Sequence, residues 1–339
     1  MRSNDQVALP GHPLALTALG MGCAVIGGLY QRTSEAQARA AIDEAWRLGV
    51  RYFDTAPYYG FTLSEHRLGA ALRDHARDEF VISTKVGRRM LPDSSVKPGE
   101  CDWASPLPFR PVFDYTYDGV LRSHQDSLQR LGLSRIDILF VHDIGVHTHA
   151  DRHAHYWAQL TAGGGFRALE QLRSEGQVRA IGLGVNETGV IQDCINEIAL
   201  DCTLLAGRYT LLEQDSLNLL NQCARAGQAI VVGGPFNSGI LAGGRMFNYR
   251  EAPPELLRRV ERMEAVCARF EVPLAAAALQ FPLGHAAVIS CIPGGRDVDQ
   301  LRQNSTWFEM PLPAELWGAL KHEGLLNEDA PVPLVQEGS

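Results

Sequence analysis

The stretch RYFDTAPYYGFTLSEHRLGAAL, residues 51–72, ends an apolar run on a carboxylate, Asp54. Two tyrosines, Tyr58 and Tyr59, follow within five residues, and a segment with helical spacing opens at Ser64. A strand followed by a short loop and a helix is the repeating unit of α/β proteins. The aspartate falls where the predicted strand leaves the core, which favours a chemical role over surface charge. The rest of the chain must show in which fold this unit is repeated and what the aspartate binds.

The same unit recurs along the chain. Its strand candidates are continuous apolar runs, as expected for parallel strands covered by helices. They are LTALGMGCA, VRYFDTA, EFVISTKVG, IDILFVHD, VRAIGLGVN, CTLLAGRYT, AIVVGGPF and AVISCIPGG. Helix candidates cover 35–48, 64–73, 117–131, 165–174, 189–200, 215–226, 254–270 and 297–304. Eight units in 339 residues predict an α/β fold, the (β/α)8 TIM barrel, as a single domain over residues 1–339.

A doubly wound dinucleotide-binding fold is the competing α/β architecture. Its fingerprint is GxGxxG after the first strand, with an acidic residue about twenty positions further on. The first strand candidate offers Gly20 and Gly22, but Val25 stands where the third glycine is required. No acidic strand end lies at the expected distance. The barrel is therefore the favoured fold.

Residues 88–115, after the third predicted strand, break the rhythm of the chain. The segment contains five prolines, Trp103 and two phenylalanines, and it predicts a long loop without regular secondary structure. A long insertion in a compact domain is commonly a functional lid or a disordered stretch. Its aromatic content favours a lid that closes on the substrate.

The composition excludes several classes of partner. The net charge of −8 and the pI of about 5.8 argue against nucleic acid or anionic lipid. The N-terminal residues lack the apolar core of a signal peptide, and no run of eighteen apolar residues occurs, so we expect no membrane association. Seven scattered cysteines without a CxxC pair predict reduced thiols and a cytoplasmic location. The oligomeric state is not readable from the sequence.

Polar residues end three successive predicted strands: Asp54 the second, Lys85 the third, and His142 with Asp143 the fourth. The carboxyl ends of barrel strands meet at one mouth. Singly, such residues are often a turn cap, a surface lysine or a core histidine. Together they form a site, because a buried lysine needs a counter-charge and stabilises the phenolate of a nearby tyrosine such as Tyr59. That tyrosine, with its pKa lowered from about 10, exchanges a proton with an alcohol or carbonyl.

The motifs FDTAPYYG, STKVG, VHD, GVN and IPGGR occur in this order on matching elements. From the first strand to Asn304 the chain resembles the aldo-keto reductase superfamily. The resemblance implies a (β/α)8 barrel that binds a nicotinamide nucleotide without a Rossmann fold. It implies a catalytic tetrad of Asp54, Tyr59, Lys85 and His142, in which Tyr59 is the general acid/base.

The resemblance also implies where the cofactor lies. The amide of Asn186 is expected at the nicotinamide, the loop 233–244 along the pyrophosphate, and the segment 292–304 at the adenosine half. Glycines in the loop allow close approach of the backbone to a charged ligand. The expected cofactor-binding residues are Asn186, Tyr209, Pro235, Asn237, Gly239, Leu241, Ile292, Pro293, Gly294, Gly295, Arg296, Gln300, Gln303 and Asn304.

Two departures from the family pattern concern the choice of cofactor. Gly294 and Gln300 stand where members that prefer NADPH often carry a lysine and an arginine near the ribose 2′-phosphate. Without these cations NADP should bind more weakly relative to NAD. NAD is therefore favoured, while Arg296 keeps NADP possible.

Two further departures concern the nicotinamide. Gly233 replaces a tyrosine that commonly stacks on the ring, and Ala206 replaces a common glutamine. Tyr209 and Phe236 are the expected substitutes. The nicotinamide is therefore expected to be held differently from the usual family pattern.

Within the family, the chain looks most similar to the bacterial enzymes that oxidise aldoses (L-fucose or D-threo-aldose) or pyridoxal. The resemblance implies oxidation of a hemiacetal carbon to a lactone with NAD(P), with an aldose as first substrate. Pyridoxal, giving 4-pyridoxolactone, and general reduction of aldehydes and ketones with NADPH are the alternatives. A cofactor-sensing subunit with slow turnover is a further possibility. The expected substrate residues are Tyr30, Tyr58, Trp103, Phe113 and Asp143.

Five histidines between residues 142 and 155 raise the question of a metal site. Metal sites in barrels usually draw ligands from separate strands, whereas most of these histidines fall in one loop. A metal-dependent hydrolase would also leave Tyr59 and Lys85 without a task. No metal is therefore expected.

Overall fold

The protein is described by a computed structural model that covers residues 1–195, 197–248 and 250–333. Its strands are β1 (Gln6–Ala8), β2 (Ala15–Thr17), β3 (Met21–Gly22), β4 (Tyr52–Asp54), β5 (Val81–Val86), β6 (Arg88–Pro92), β7 (Phe109–Phe113), β8 (Ile138–His142), β9 (Ala180–Val185), β10 (Cys202–Ala206), β11 (Ala229–Gly233), β12 (Met246–Phe247), β13 (Arg250–Glu251) and β14 (Val288–Ile292). Its helices are α1 (Glu35–Arg47), α2 (Leu63–Leu72), α3 (Tyr117–Leu131), α4 (Val146–His149), α5 (His153–Leu160), α6 (Gly165–Ser174), α7 (Gly189–Ile195), α8 (Leu217–Arg225), α9 (Pro254–Ala268), α10 (Leu274–Gln280), α11 (Val298–Glu309) and α12 (Ala314–His322).

Eight parallel strands form the barrel, in the order β3, β4, β5, β8, β9, β10, β11 and β14. Two parallel bridges, Leu19 to Cys291 and Gly22 to Gly294, join the first strand to the last and close the cylinder. The predicted (β/α)8 fold is therefore confirmed. Each predicted strand contains one of these eight, because a continuous apolar run is typical of a parallel strand that is buried on both faces.

Two apolar layers hold the fold together. The outer and larger layer lies between the barrel and the helices, and it includes Ile42, Leu68 and Leu169 from the helices. The inner layer fills the barrel, where Tyr52 and Phe140 are fully buried. The β1–β2 hairpin extends the inner layer with three buried leucines, Leu9, Leu14 and Leu16.

The helix predictions are largely confirmed, with shifted ends. Ser34 caps α1 in a capping box with Gln37. The side chain of Asp297 caps α11 by accepting from the backbone N–H of Gln300. The predicted helix 189–200 ends at Ile195, and α11 continues to Glu309, five residues beyond its predicted end at Asn304. In the described part of the chain, no helix is long and apolar enough to cross a bilayer.

The insertion at 88–115 has regular structure, so the prediction of a loop without secondary structure is wrong. Strands β6 and β7 pair antiparallel, from Arg88 opposite Phe113 to Pro92 opposite Phe109. A ribbon of two strands leaves two outer edges free, which is where prolines are tolerated. Gly87 makes the exit from β5 possible, because at its φ of 99° a Cβ atom would lie 2.2 Å from the ring of Tyr115.

Candidate active site

Lys85 lies at the centre of the mouth, near the carboxyl end of β5, and is 1% exposed. Its Nζ donates to Oδ2 of Asp54 at 2.7 Å, to the carbonyl oxygen of Thr55 at 2.9 Å and to the hydroxyl of Tyr59 at 3.1 Å. An ammonium group has three N–H donors, so all of them are used. The structure therefore brings Asp54, Tyr59 and Lys85 together as predicted.

The second oxygen of Asp54 is also bound. Its Oδ1 accepts from Ser83 Oγ at 2.7 Å, and that hydroxyl lies 3.0 Å from the hydroxyl of Tyr52. Burial raises the pKa of Asp54, against the lowering influence of Lys85 and Ser83. Burial acts to lower the pKa of Lys85, but the carboxylate of Asp54 and the phenol of Tyr59 outweigh it, so this pKa lies above its usual value. Lys85 therefore remains a cation at neutral pH.

The loop after β4 fixes the backbone of Tyr59. Thr55 Oγ1 lies 2.8 Å from Ser64 Oγ, which donates to the carbonyl oxygen of Cys23 at 2.8 Å. Gly60 has a φ of 63°, and a Cβ atom there would lie 2.2 Å from the carbonyl oxygen of Gly27. The glycine of the YYG motif is therefore required by this close approach.

His142, at the end of β8, is the fourth expected catalytic residue and is 5% exposed. Its ring centroid lies 6.0 Å from that of Tyr59, nearly perpendicular to it. Burial, followed by the positive charges of Arg88 and Lys85, holds the pKa of His142 well below its ordinary value. The imidazole is thus neutral, and it can donate one hydrogen bond to a substrate oxygen beside Tyr59.

Arg88, which the sequence analysis did not identify, reaches this side of the mouth from the insertion. It is 8% exposed, and its Nη2 donates to Oδ2 of Asp143 at 2.5 Å. The same carboxylate oxygen lies 3.5 Å from Nε2 of His142, so Asp143 stands between the arginine and the imidazole. Its backbone adopts a φ of 46°, which is uncommon for aspartate. The sequence offered one signal for this ion pair. Arg88 follows the end of the third predicted strand, and Asp143 ends the fourth.

The expected substrate residues occupy different depths. Tyr58 lies beneath the guanidinium of Arg88, 4.3 Å from its ring centroid, and its ring contacts Trp103 and His142. Burial raises the pKa of Tyr58 to about 12, so it stays a neutral phenol. Trp103 also contacts the ring of Tyr59. These residues form an aromatic wall beside the tetrad.

Two expected wall residues lie further from the tetrad. Phe113 packs on His149 and Tyr156, with the guanidinium of Arg88 5.4 Å from its ring. Tyr30 is 42% exposed, and its backbone N–H donates to the carbonyl oxygen of Asp102.

Asn186, after β9, fits its expected role at the nicotinamide. Its Oδ1 is buried, and it has no hydrogen-bond partner among the residues that the structure describes. The carbonyl oxygen of Asn186 accepts from Nε of Arg208 at 2.6 Å, which anchors the backbone at this point. A buried, unpaired acceptor matches the N–H donors of a carboxamide.

The loop 233–244 follows β11. Asn237 and Gly239 have positive φ values of 46° and 101°, and Asn237 Nδ2 donates to the carbonyl oxygen of Gly207. The side chain of Asn237 is thus used to hold the loop. Pro235 is buried at the start of the loop.

The segment 292–304 begins on the last barrel strand. Gly294 is exposed, and its carbonyl oxygen accepts from Asn304 Nδ2 at 3.1 Å. The guanidinium of Arg296 is already bound, to the carbonyl oxygen of Leu29 at 2.9 Å and to Oε1 of Gln31 at 3.0 Å. Of the other expected residues here, Gln300 and Gln303 are exposed, whereas Ile292, Pro293 and Gly295 are buried.

Two residues expected at the cofactor do not lie at the mouth. Tyr209 is fully buried, with its ring packed on Phe281 and His285, because it points outward from the barrel end and not across the mouth. Leu241 is also fully buried in the outer apolar layer. Phe236, the other suggested substitute for the nicotinamide-stacking tyrosine, packs on Trp307.

The histidine-rich segment serves packing and hydrogen bonding. His149 Nε2 lies 2.9 Å from the hydroxyl of Tyr115, which donates to the carbonyl oxygen of His142 at 2.8 Å. Burial, and then the charge of Arg88, lowers the pKa of His149 to about 4. Within the ranges described above, no group of three or more His, Cys, Asp or Glu side chains is arranged to hold a metal ion.

The site is therefore a barrel mouth with a buried Asp–Lys–Tyr chain, a neutral histidine and a buried amide oxygen that has no partner among the described residues. The chain belongs to the aldo/keto reductase family, whose pattern it matches over residues 18–322, and it is an NAD(P)-dependent oxidoreductase. It is 49% identical to the pyridoxal 4-dehydrogenase of Microbacterium luteolum, an alignment that covers 96% of this chain and 99% of that one. It is 41% identical to the D-threo-aldose 1-dehydrogenase of a Pseudomonas species, over 96% and 99%.

Solved structures show the same barrel. The holo form of an aldo-keto reductase from Bacillus halodurans superposes with a TM-score of 0.72 at 25% identity, covering 98% of each chain. A glycerol dehydrogenase from Gluconobacter oxydans gives the same TM-score at 20% identity over the full length of both chains, which bears on the fold alone.

Proposed function

We propose that this protein oxidises a cyclic hemiacetal to a lactone, with pyridoxal as first substrate and an aldose as second. The observation that carries the proposal is the contact of Tyr59 with a buried, charge-paired lysine beside a neutral histidine. The hemiacetal O–H proton passes to the phenolate of Tyr59, and hydride leaves the same carbon for the oxidised nicotinamide. The carbon–oxygen bond becomes the lactone carbonyl, so protons and electrons balance.

Each residue of the tetrad has one task in this reaction. Lys85 stabilises the phenolate form of Tyr59 through the 3.1 Å hydrogen bond, and Asp54 neutralises the lysine. His142 donates to the reacting oxygen and orients it toward Tyr59. The general base must lie within hydrogen-bond reach of the proton that it accepts. We place the reacting oxygen between Tyr59 and His142, whose ring centroids lie 6.0 Å apart.

The bound nicotinamide supplies the hydride acceptor. Asn186 would hold its carboxamide, and the loop 233–244 with the segment 292–304 would hold the rest of the nucleotide. NAD is favoured over NADP because residues 294 and 300 provide no cation. Arg296, the remaining cation, is bound to Leu29 and Gln31, so recruiting it to a 2′-phosphate would break two hydrogen bonds. Fluorescence titration should give a lower Kd for NADH than for NADPH.

Pyridoxal takes first place because the relative that oxidises it shares 49% identity, against 41% for the aldose enzyme over the same share of this chain. This reverses the order suggested by sequence motifs alone. The wall of Tyr58 and Trp103 also suits a planar aromatic ring. We place the reaction in the cytoplasm, in keeping with seven unpaired cysteines.

The test is absorbance at the reduced nicotinamide band, with purified protein, NAD+ or NADP+, and a panel of substrates. The panel contains pyridoxal, L-fucose, D-arabinose, L-galactose, D-galactose and L-xylose. Oxidation of pyridoxal to a lactone with NAD+ supports the first substrate, and oxidation of a sugar alone supports the second. If no substrate in the panel is oxidised and aldehydes are reduced with NADPH, the proposed direction of the reaction, oxidation, is contradicted. Binding of NADH without any turnover would point to a cofactor-sensing subunit.

A further inference from the structure

The guanidinium of Arg88 is incompletely hydrogen-bonded for a buried cation. Its Nη2 binds Asp143, but its Nε is buried and has no partner within the part of the chain that the structure describes. A buried, unpaired donor on a cation costs free energy unless a ligand or water completes it. Arg88 is thus an arginine with donor capacity left for a bound molecule.

Two contacts hold the guanidinium of Arg88 near His142 and Tyr58. Asp143 Oδ2 joins Arg88 to His142, at 2.5 Å and 3.5 Å. The guanidinium also lies over the ring of Tyr58, which contacts the ring of His142. Any substrate whose reacting oxygen lies between His142 and Tyr59 therefore has Arg88 beside its next atoms, on the side of the aromatic wall.

We propose that Arg88 is a specificity-determining residue that binds an anionic oxygen on the ring carbon next to the hemiacetal-bearing carbon. This rests on the proposed function, because pyridoxal has such a group: its 3-hydroxyl is ionised near neutral pH and adjoins the carbon that carries the hemiacetal. Arginine suits this task because it stays charged and presents several donors in a fixed plane. An aldose has only a neutral hydroxyl at the corresponding position.

Asp143 makes a buried Arg88 tolerable before the substrate binds. An unpaired buried charge is strongly destabilising, and the carboxylate supplies the counter-charge. With one face of the guanidinium on Tyr58 and Nη2 on Asp143, the unpaired Nε remains for the substrate oxygen. A hydrogen bond between an arginine and an oxyanion is stronger than one to a neutral hydroxyl, so the pair should discriminate between the two substrate classes.

The experiment compares two substrates and three variants. The substrates are pyridoxal and 3-deoxypyridoxal, which still forms the cyclic hemiacetal but lacks the 3-oxygen. The variants are Arg88→Met, Arg88→Lys and, as a matched control, Arg89→Met. Arg89 is the neighbour of Arg88 on β6, and it pairs with Asp114 at 3.4 Å. Circular dichroism and thermal unfolding establish that each variant is folded.

Arg88→Met should lower kcat/KM for pyridoxal roughly 10- to 100-fold and leave the value for 3-deoxypyridoxal within about 3-fold. Arg88→Lys should lose less for pyridoxal, because it retains a charge, and it carries the test if the methionine variant does not fold. Arg89→Met should leave the ratio of the two substrates unchanged. An equal loss with both substrates would overturn the assignment and make Arg88 a purely structural residue. If the wild type oxidises neither substrate, the proposed function itself is contradicted, which is a different result.

Discussion

The two sides of the barrel mouth differ in how completely their polar groups are hydrogen-bonded. On the side of β4 and β5, Lys85 uses all three donors and both oxygens of Asp54 are bound. On the side of β8 and β9, the described residues leave several buried atoms without a partner. They include Nε of Arg88, Nδ1 of His142, Nδ1 of His149 and Oδ1 of Asn186.

This difference separates two tasks. A proton-transfer group must have its charge and position set before the substrate arrives, so its network is complete in the free protein. Groups that select a ligand gain affinity when the ligand supplies their missing partners. The complete side therefore contributes to folding stability, whereas the incomplete side contributes to binding. Substitutions on the complete side should therefore lower the free energy of unfolding, and substitutions on the incomplete side should weaken ligand binding.

The largest effect is expected from Tyr59→Phe, which removes the proton acceptor and leaves the ring. Turnover should fall roughly 100- to 10,000-fold in steady-state assays, which is the usual contribution of general acid–base catalysis. NADH binding, followed by fluorescence, should be retained. Tyr58→Phe is the matched control and should keep most of its activity. Full activity in Tyr59→Phe would contradict the acid/base assignment.

Asp54→Asn tests the stability of the complete side. It leaves Lys85 buried without a counter-charge, so the free energy of unfolding in urea should fall by about 3–5 kcal/mol. The control is Asp93→Asn, which breaks a surface pair with Arg110 and should shift the unfolding midpoint little. Similar shifts in the two variants would mean that burial of the Asp54–Lys85 pair does not matter for stability.

Asn186→Ala tests the incomplete side. Because its Oδ1 lacks a partner in the described structure, we expect the unfolding free energy to change by less than about 1 kcal/mol. The Kd for NADH should rise by roughly 10-fold, as one hydrogen bond to the carboxamide is lost. Gln192→Ala, at an exposed position of α7, should change neither quantity. A stability loss without weaker binding would reverse the roles of the two sides.

The smallest effect concerns pH. His149 has its pKa lowered to about 4, so between its ordinary value and pH 4 the unfolded state binds more protons than the folded state. Stability should therefore fall as the pH falls from about 6.5 towards 4, and His149→Gln should flatten part of this slope. Urea unfolding at pH 7.5 and pH 5 measures it. An unchanged slope in His149→Gln would contradict the account.

The sequence predicted the complete side of the mouth well. Its residues fall on regular barrel strands, where apolar runs define the strand ends and the fold brings those ends together. Asp54 and Lys85, together with His142 on the incomplete side, were identifiable because polar residues at three successive strand ends are not explained by packing. The eight strands were recognisable for the same reason, since each is buried on both faces.

The incomplete side depends on contacts that no local pattern specifies. Strands β6 and β7 pair across the connection 93–108, and their prolines suggest a loop when the partner strand is unknown. Alternation in FRPVF was the available signal for a strand. Arg88 went unrecognised because its partner, Asp143, lies 55 positions away. Tyr209 was misjudged because an aromatic residue after a strand can point across the barrel mouth or towards the surrounding helices. The sequence does not show that its ring packs on Phe281, in the outer apolar layer.

The segment 292–304 begins at the seam where the first and last strands of the barrel meet, so its contacts bear on how easily the barrel opens there. At the seam the N–H of Gly20 donates to the carbonyl oxygen of Cys291 and that of Gly22 to the carbonyl oxygen of Pro293, next to a strand of only two residues. A nucleotide held by residues 292–304, as proposed, would bind the closed barrel in preference to an open one and would raise the free energy of opening at this seam. If the cofactor binds there, we expect amide hydrogen exchange at Gly20 and Gly22 to slow, so that these two backbone groups would report the occupancy of the site.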